Sequence, residues 1–149
     1  MRTRRLLVPA LIAIVAIAYA TASSAGSSSW TVERYYTDET WHAFADIGAK
    51  NTSPDDVYAA QQSLKTTDGR NAGVVNGYGV NLHPPYVFFH WTATLAAGTL
   101  TLESAVNLRD KVATYPIAGG TGRYSGARGT VTLTDAGNKG SLVTVRYAR

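Results

Sequence analysis

The sequence predicts an all-β protein folded as a closed up-and-down antiparallel barrel, and three observations support this prediction. From Trp30 onward the 149-residue chain consists of short segments rich in β-branched and aromatic residues, separated by clusters of Gly, Asp, Asn and Pro. In the last segment Val143 and Val145 alternate with Thr144, which is the period of a strand with one buried face. The turns between segments are short, as expected of sequential hairpins.

Nine segments have this character, and eight or nine strands is the size of a small barrel. They span residues 30–36, 41–47, 56–66, 72–82, 86–96, 98–106, 112–118, 128–135 and 140–148. The third segment is ambiguous, because Ser53 followed by Pro54 has the composition of a capped helix start. Local propensity alone favours a helix there.

Residues 1–25 have the three parts of an export signal. Three arginines lie within the first five residues, an uncharged run extends from Leu6 to Ala20, and small residues follow through Gly26. A spanning helix needs roughly 20 apolar residues, and this run is shorter and contains Pro9. We therefore expect a secreted protein with a signal peptide at 1–25 and a barrel domain at 26–149, exported by either the general secretory or the twin-arginine route.

The positive charge of the chain belongs mainly to that signal. The chain has 14 Lys plus Arg against 10 Asp plus Glu, and residues 1–25 contain three of the arginines and none of the acids. The remaining charges are nearly balanced and interleaved, so neither nucleic acid nor, once the signal is removed, a membrane is expected as a partner. Since the chain has no cysteine, packing and hydrogen bonds must stabilise the exported domain.

No motif indicates a metal, a cofactor or a catalytic triad. The glycine-rich run 118–129 lacks the spacing of G-x-G-x-x-G and of G-x-x-x-x-G-K-[ST], so a sharp turn closing one end of the barrel is the better interpretation. The three histidines have no metal-ligand spacing, and no G-x-S-x-G occurs. We expect neither a metal nor a cofactor.

Two motifs resemble the allene oxide cyclase and dirigent-protein barrel family. One is the run DGRNAG at residues 68–73, and the more specific one is YPIAGGTGRYSGARGTV at 115–131. The resemblance implies an eight-stranded antiparallel barrel, which favours a strand at 56–66, and an assembly as a dimer or trimer. It also implies a lumen that binds a small apolar metabolite and promotes or steers its cyclisation or coupling without a cofactor. The alternative is a non-catalytic, lipocalin-like binding barrel or a secreted scaffold protein.

The resemblance also suggests catalytic residues. Glu33 falls where the cyclases have an inward glutamate, although Tyr35 stands where they have asparagine, and Gly79 where they have cysteine. Arg128 matches the arginine of the dirigent motif, and its role is either to polarise a substrate oxygen or to form an ion pair at the barrel end. A carboxylate in an apolar lumen is a plausible acid or base, so Glu33, Arg128 and Tyr78 are the expected catalytic residues.

Strand parity suggests the residues that bind the substrate. Either face of residues 86–95 can be the lumen, and we favour the mixed face, because a ligand cavity combines aromatic walls with a few polar groups. The apolar face contains Val87, Phe89, Trp91, Ala93 and Leu95, and the mixed face contains Tyr86, Phe88, His90, Thr92 and Thr94. The expected binding residues are Tyr35, Asn76, Phe88, His90 and Glu103. For both Glu103 and Glu33, a solvent-facing glutamate paired with a nearby arginine is the competing interpretation.

Overall fold

Consecutive strands pair antiparallel throughout the computed structural model, which describes residues 29–51 and 53–149. The last strand returns to pair with the first, so the sheet closes into a barrel. The eight strands are β1 Thr31–Ala45, β2 Val57–Thr66, β3 Asn71–His83, β4 Tyr86–Leu95, β5 Gly98–Asn107, β6 Val112–Gly120, β7 Arg128–Asp135 and β8 Ser141–Ala148. The predicted up-and-down barrel is confirmed, whereas the predicted export signal at residues 1–25 lies outside the described residues.

β1 is one continuous strand where the sequence predicted two. The register between β1 and β2 shifts between Glu39 and Trp41, so Thr40 is an extra residue on β1. Such a bulge bends a strand without ending it. The predicted segments 30–36 and 41–47 therefore belong to the same strand, and the nine predicted strands become eight.

The segment with helical composition is a loop held by a buried carboxylate. Asp56 is 1% exposed and accepts hydrogen bonds from the backbone N–H groups of Ser53 at 2.7 Å and Ile47 at 3.0 Å. These hydrogen bonds, led by that from Ser53, hold the pKa of Asp56 below its ordinary value. Because Ser53 donates to Asp56 in this loop and does not begin a helix, the chain enters β2 at Val57, in agreement with the strand predicted there.

β1 is displaced along its length relative to its two neighbours. Residues Thr31–Thr37 pair with β8, and residues Tyr35–Ala45 pair with β2. Among the described residues, the segment Thr31–Arg34 therefore has no partner on the β2 side. An unpaired edge leaves backbone N–H and C=O groups free. The barrel wall consequently has a gap between the start of β1 and the turn that joins β2 to β3.

The inner faces of the strands are apolar and fill the barrel. Leu64, Leu100 and Val131 are at most 2% exposed, and the apolar face of β4 is largely buried while its mixed face is not. The prediction that the mixed face of residues 86–95 lines the lumen is therefore wrong. The interior of an eight-stranded barrel is just wide enough for side chains to fill, so the apolar face is needed for the core.

Two glycines on β3 make room for aromatic rings on β4. A Cβ on Gly77 would overlap the Trp91 ring, and one on Gly79 would lie 2.5 Å from the Phe89 ring. The two rings stack with their centroids 5.5 Å apart. At Gly79, where the resemblance placed a cysteine, an aromatic ring therefore occupies the space of a side chain.

Two short 3-10 turns interrupt the strand order, Gly122–Tyr124 before β7 and Gly137–Lys139 before β8. The first closes the barrel end at which β1 begins, as the glycine-rich run predicted. In the part of the chain that the structure describes, no helix has the length and apolar character needed to span a bilayer.

Candidate functional site

A carboxylate that accepts four hydrogen bonds lies at one end of the barrel. Glu33 is on the inner face of β1, two residues from Tyr35, which lines the lumen, and its side chain is 13% exposed. Its Oε1 accepts from the Arg123 guanidinium at 2.6 Å and from the Tyr147 hydroxyl at 3.1 Å. Its Oε2 accepts from the hydroxyls of Tyr35 at 2.7 Å and Tyr124 at 2.8 Å. We call these five residues the Glu33 cluster.

The three tyrosines of the Glu33 cluster remain protonated well above neutral pH. Burial raises the pKa of Tyr35, and the hydrogen bond and charge of Glu33 raise it further. Burial is also the main reason that the pKa values of Tyr124 and Tyr147 are raised. A phenol beside a carboxylate resists ionisation because a second negative charge would be repelled. The hydroxyls therefore act as stable donors.

The donor set suits the ionised form of Glu33. An ionised carboxylate only accepts hydrogen bonds, and its two oxygens offer about four lone-pair sites. Four donors occupy them, and the guanidinium of Arg123 balances the charge. Hydrogen bonding to Tyr124 and the charge of Glu33 raise the pKa of Arg123 in turn. The cluster therefore combines a carboxylate whose side chain is 13% exposed with a guanidinium whose side chain is 50% exposed.

The glycine-rich loop between β6 and β7 positions Arg123 and Tyr124. Its turn begins at Gly122, whose φ of 58° is the left-handed conformation that glycine adopts without strain. A Cβ there would also fall on the carbonyl of Ala97, whereas with glycine the loop comes close enough for the Arg123 N–H to donate to that carbonyl at 2.8 Å. The same turn buries Tyr124 completely.

An open cleft of about 460 Å³ lies beside the Glu33 cluster. It occupies the gap between the unpaired start of β1 and the turn between β2 and β3. Its lining is polar and consists of Glu33, Arg34, Tyr35, Thr66, Thr67, Asp68, Arg70 and Arg123. The Glu33 cluster is therefore accessible from solution through Glu33, Tyr35 and Arg123.

The lumen behind the cleft holds an apolar cavity of about 40 Å³. This is room for a few water molecules and far below the roughly 300 Å³ of a typical ligand pocket. Side chains rather than a metabolite-sized space therefore fill the barrel in this structure. Tyr35 lines both the cavity and the cleft, so its side chain lies between the two spaces.

Two of the predicted site residues, Glu33 and Tyr35, lie in the Glu33 cluster and face inward. Five others lie on the outer surface of the barrel: Asn76, Tyr78, Phe88, His90 and Glu103. The prediction that Phe88 and His90 line the lumen is therefore wrong. Tyr78, His90 and Glu103 form a cross-strand ladder there, in which the rings of Tyr78 and His90 stack at 5.4 Å. His90 Nδ1 lies 2.8 Å from Glu103 Oε1, so Glu103 faces solvent, as the competing interpretation had it, but its partner is a histidine and not an arginine. Because the mixed face of β4 is the outer face and paired residues of neighbouring strands share a face, the partners of this face on β3 and β5 also point outward.

Arg128 does not reach Glu33. It is exposed at the start of β7, an odd number of residues from the inward Val131, and within residues 29–51 and 53–149 it forms no ion pair. The arginine that pairs with Glu33 is Arg123, five positions earlier in the same motif. The 3-10 turn directs Arg123 to the barrel end, whereas Arg128 already follows the outward parity of β7.

Sequence reasoning missed Arg123, Tyr124 and Tyr147. Tyr147 shares the strand parity of Val143 and Val145 on β8, and this was a usable signal, since all three side chains are inward and buried. No comparable signal existed for Arg123 and Tyr124. The direction of their side chains depends on how the 3-10 turn Gly122–Tyr124 packs against β5 and against the turn between β4 and β5.

The Glu33 cluster can bind a polar group, orient it and donate hydrogen bonds to it. The guanidinium of Arg123 has N–H donors beyond those used by Glu33, and it faces the cleft. Among the described residues, no group of three or more His, Cys, Asp or Glu is placed to hold a metal ion. That neither metal nor cofactor takes part stays a prediction.

Comparison with known proteins assigns the chain to a family. The allene oxide cyclase barrel like domain matches residues 37–146, which is most of the chain. This protein therefore belongs to the allene oxide cyclase barrel-like family. No curated protein matches it in sequence.

Solved structures that share the fold carry different activities in their names. Pyocyanin demethylase superposes with a TM-score of 0.73 at 20% identity, over 79% of this chain and 100% of that one. A pterocarpan synthase dirigent protein gives 0.64 at 16% identity, over 80% and 83%. The Diels Alderase AbmU from Streptomyces koyangensis gives 0.64 at 17% identity, over 84% and 71%. At these identities the similarity establishes the fold.

Proposed function

We propose that this protein is an exported barrel that binds a small, largely apolar metabolite and promotes or steers its cyclisation or coupling without a cofactor, using the Glu33 cluster. The observation that carries the proposal is the inward carboxylate of Glu33, held by Arg123 and three tyrosines at the border between a polar cleft and an apolar interior. A few convergent polar groups beside an apolar space are the usual form of a small-molecule site. The demethylase, the dirigent protein and the Diels Alderase of the same fold support small-molecule chemistry.

The proposed ligand lies in the cleft and not in the closed lumen. Its polar group contacts Arg123 and Glu33, and its apolar part points at the Tyr35 ring. A rotation of that side chain would join the cavity of about 40 Å³ to the cleft of about 460 Å³. A ligand can then insert an apolar end into the barrel while its reacting part stays beside the Glu33 cluster.

A cyclisation needs little chemistry from such a site. The reaction rearranges bonds within one substrate, so no atom or electron has to be supplied. Holding one folded conformer of the substrate removes part of the entropic barrier. Donors from Arg123 that are aimed at a substrate oxygen stabilise the negative charge that develops on it. Glu33 keeps Arg123 and the phenols in place.

The second candidate is a non-catalytic binding barrel or a secreted scaffold. The observation that favours the scaffold is the size of the lumen, since a cavity of about 40 Å³ cannot hold a metabolite. The two candidates differ in whether a bound compound is changed by the protein and in whether Glu33 matters for that change.

Native mass spectrometry of the secreted protein is the first step of the test, because it identifies a co-purified ligand and its stoichiometry. It also shows whether the chain begins at Gly26, as the predicted export signal requires. Turnover of the identified compound is then compared between the wild type, Glu33→Gln and the matched control Glu103→Gln, whose carboxylate lies on the outer surface.

We expect Glu103→Gln to retain the wild-type rate and Glu33→Gln to lose about 100-fold, as is typical when a site loses its electrostatic complementarity. Equal rates in the two variants would contradict the role of the Glu33 cluster. A compound that binds but is returned unchanged would establish the carrier, and a protein without any ligand would favour the scaffold.

A further inference from the structure

Three arginines border the cleft beside Glu33, and one of them has no acid of its own. Arg123 pairs with Glu33 at 2.6 Å, and Arg70 Nε pairs with Asp68 Oδ2 at 2.9 Å. Arg34 lines the same cleft, yet within residues 29–51 and 53–149 it forms no ion pair. The lining therefore has one uncompensated positive charge, located at Arg34.

We propose that Arg34 forms an anion subsite in this cleft and that the ligand is a small organic acid whose carboxylate binds there. The proposal rests on the proposed function, since it names the class of ligand for the same cleft. A guanidinium presents its N–H groups in a planar fork that matches the two oxygens of a carboxylate. Arg34 alternates with the inward Glu33 and Tyr35 and is exposed, so it borders the cleft from the outer side of the gap. The apolar part of the acid then extends through the gap toward Tyr35 and the lumen.

The open edge of β1 adds backbone donors to this subsite. Alternate residues of a strand direct their N–H and C=O groups to opposite sides. In Thr31–Arg34, which has no β2 partner among the described residues, every second residue therefore presents an N–H group to the gap. Thr67 also lines the cleft. A carboxylate beside Arg34 thus has charged and neutral donors within the same cleft.

The balance of charges selects a monoanion. The cleft contains Glu33 and Asp68 besides its three arginines, so its net charge is +1. A phosphate monoester carries close to two negative charges near neutral pH and would bring them near both carboxylates. A single carboxylate matches the charge of Arg34 without this repulsion. The apolar cavity behind Tyr35 is lined mainly by aliphatic and aromatic residues, which suits a hydrocarbon or aromatic body.

The test uses one pair of probes, 4-phenylbutanoate and its neutral analogue 4-phenylbutanamide. Each is titrated into isotopically labelled protein while backbone amide resonances are followed by NMR. We expect the acid to shift resonances of residues 33–35 and 66–70 and to bind at least about 10-fold more tightly than the amide. Binding of the amide as tight as that of the acid in this cleft would overturn the anion subsite and leave the proposed function standing.

Variants assign the effect to Arg34. Arg34→Gln should weaken binding of the acid about 10-fold, and Arg34→Lys should restore part of it, because a charge-assisted hydrogen bond is retained without the planar fork. The control Arg109→Gln removes the same charge from the turn between β5 and β6, at the opposite end of the barrel, and should change binding little. Arg34 is exposed, so its replacement leaves the core intact, which urea unfolding verifies.

Equal losses in Arg34→Gln and Arg109→Gln would overturn the proposal, because binding would then follow net charge alone. The absence of any shift by the acid at about 10 mM would overturn it too. Shifts confined to the outer ladder around Tyr78 and His90 would contradict the anion subsite and the proposed cleft together. The turnover comparison of Glu33→Gln with Glu103→Gln tests the proposed function independently of this titration.

Discussion

Replacing Glu33 by glutamine is expected to lower the free energy of unfolding by about 2–3 kcal/mol. Glutamine keeps one acceptor oxygen and turns the other into an NH₂ donor. The contacts at the lost oxygen are those of Tyr35 and Tyr124 or those of Arg123 and Tyr147. Two hydrogen bonds to a charged group would be worth about 3–6 kcal/mol. Rotation of the phenols and the half-exposed position of Arg123 reduce this figure.

Urea unfolding at neutral pH measures the effect. A loss of this size shifts the midpoint by about 1 M or more when the slope is about 2 kcal/mol/M. Glu103→Gln is the matched control, because it alters a surface contact with His90 in which the glutamate side chain is 46% exposed, and it should cost less than about 1 kcal/mol. A Glu33→Gln protein no less stable than Glu103→Gln would refute the inference that four donors depend on this carboxylate.

Three further predictions concern titration and packing. Burial raises the pKa of Tyr35 above its ordinary value of 10.0, so the contribution of its protonated hydroxyl to stability is complete below about pH 10 and declines as the pH rises further. The urea midpoint of Tyr35→Phe should therefore fall less steeply with alkaline pH than that of the wild type, and parallel curves would contradict this. The Ser53 N–H holds the pKa of Asp56 below its ordinary value of 3.8, so the contribution of the Asp56 carboxylate to stability is present above that pH and is lost as the pH falls. The thermal unfolding temperature of Asp56→Asn should therefore depend less on acid pH than that of the wild type, and an unchanged acid dependence would contradict the loop contacts. Gly77→Ala should lower the free energy of unfolding in urea by about 3 kcal/mol, because the new Cβ meets the Trp91 ring and a backbone carbonyl. The control Gly119→Ala, whose new Cβ has nothing within 4 Å, should lower it far less, and equal losses would contradict the packing described.

The strand order could be predicted because it depends on local patterns. Alternation along Ser141–Ala148 and the turn residues before it act over a few positions, so the hairpins were visible in the sequence. The helical composition at Ser53 misled only locally. There the carboxylate of Asp56 accepts hydrogen bonds from backbone N–H groups on both sides of the loop. These tertiary contacts override the local helix propensity.

The inner face of β4 could not be predicted from the alternation of its residues, because both faces contain aromatic side chains. Which face turns inward depends on the diameter of the closed barrel and on Gly77 and Gly79, whose missing side chains admit the rings of Trp91 and Phe89. The expectation of a wide, ligand-filled lumen led to the wrong face. The packing of side chains within the core determines which face of β4 turns inward.

The Glu33 cluster could be predicted only in part, because it joins distant segments. Glu33 was found through the resemblance, but it lies 91 residues from Tyr124 and 114 from Tyr147 in the chain. The choice between Arg123 and Arg128 depends on a left-handed glycine and on docking against the turn between β4 and β5, neither of which leaves a periodic pattern.

The position of a bound ligand tests the proposed site most directly. A crystal structure of the protein with its co-purified compound would show that position without reference to any rate. We predict that the compound lies in the cleft, within about 4 Å of Arg123 and of the Tyr35 ring, with an acidic group at Arg34. A compound bound instead on the outer surface of β3–β5, against Tyr78 and His90, would contradict the assignment of function to the Glu33 cluster.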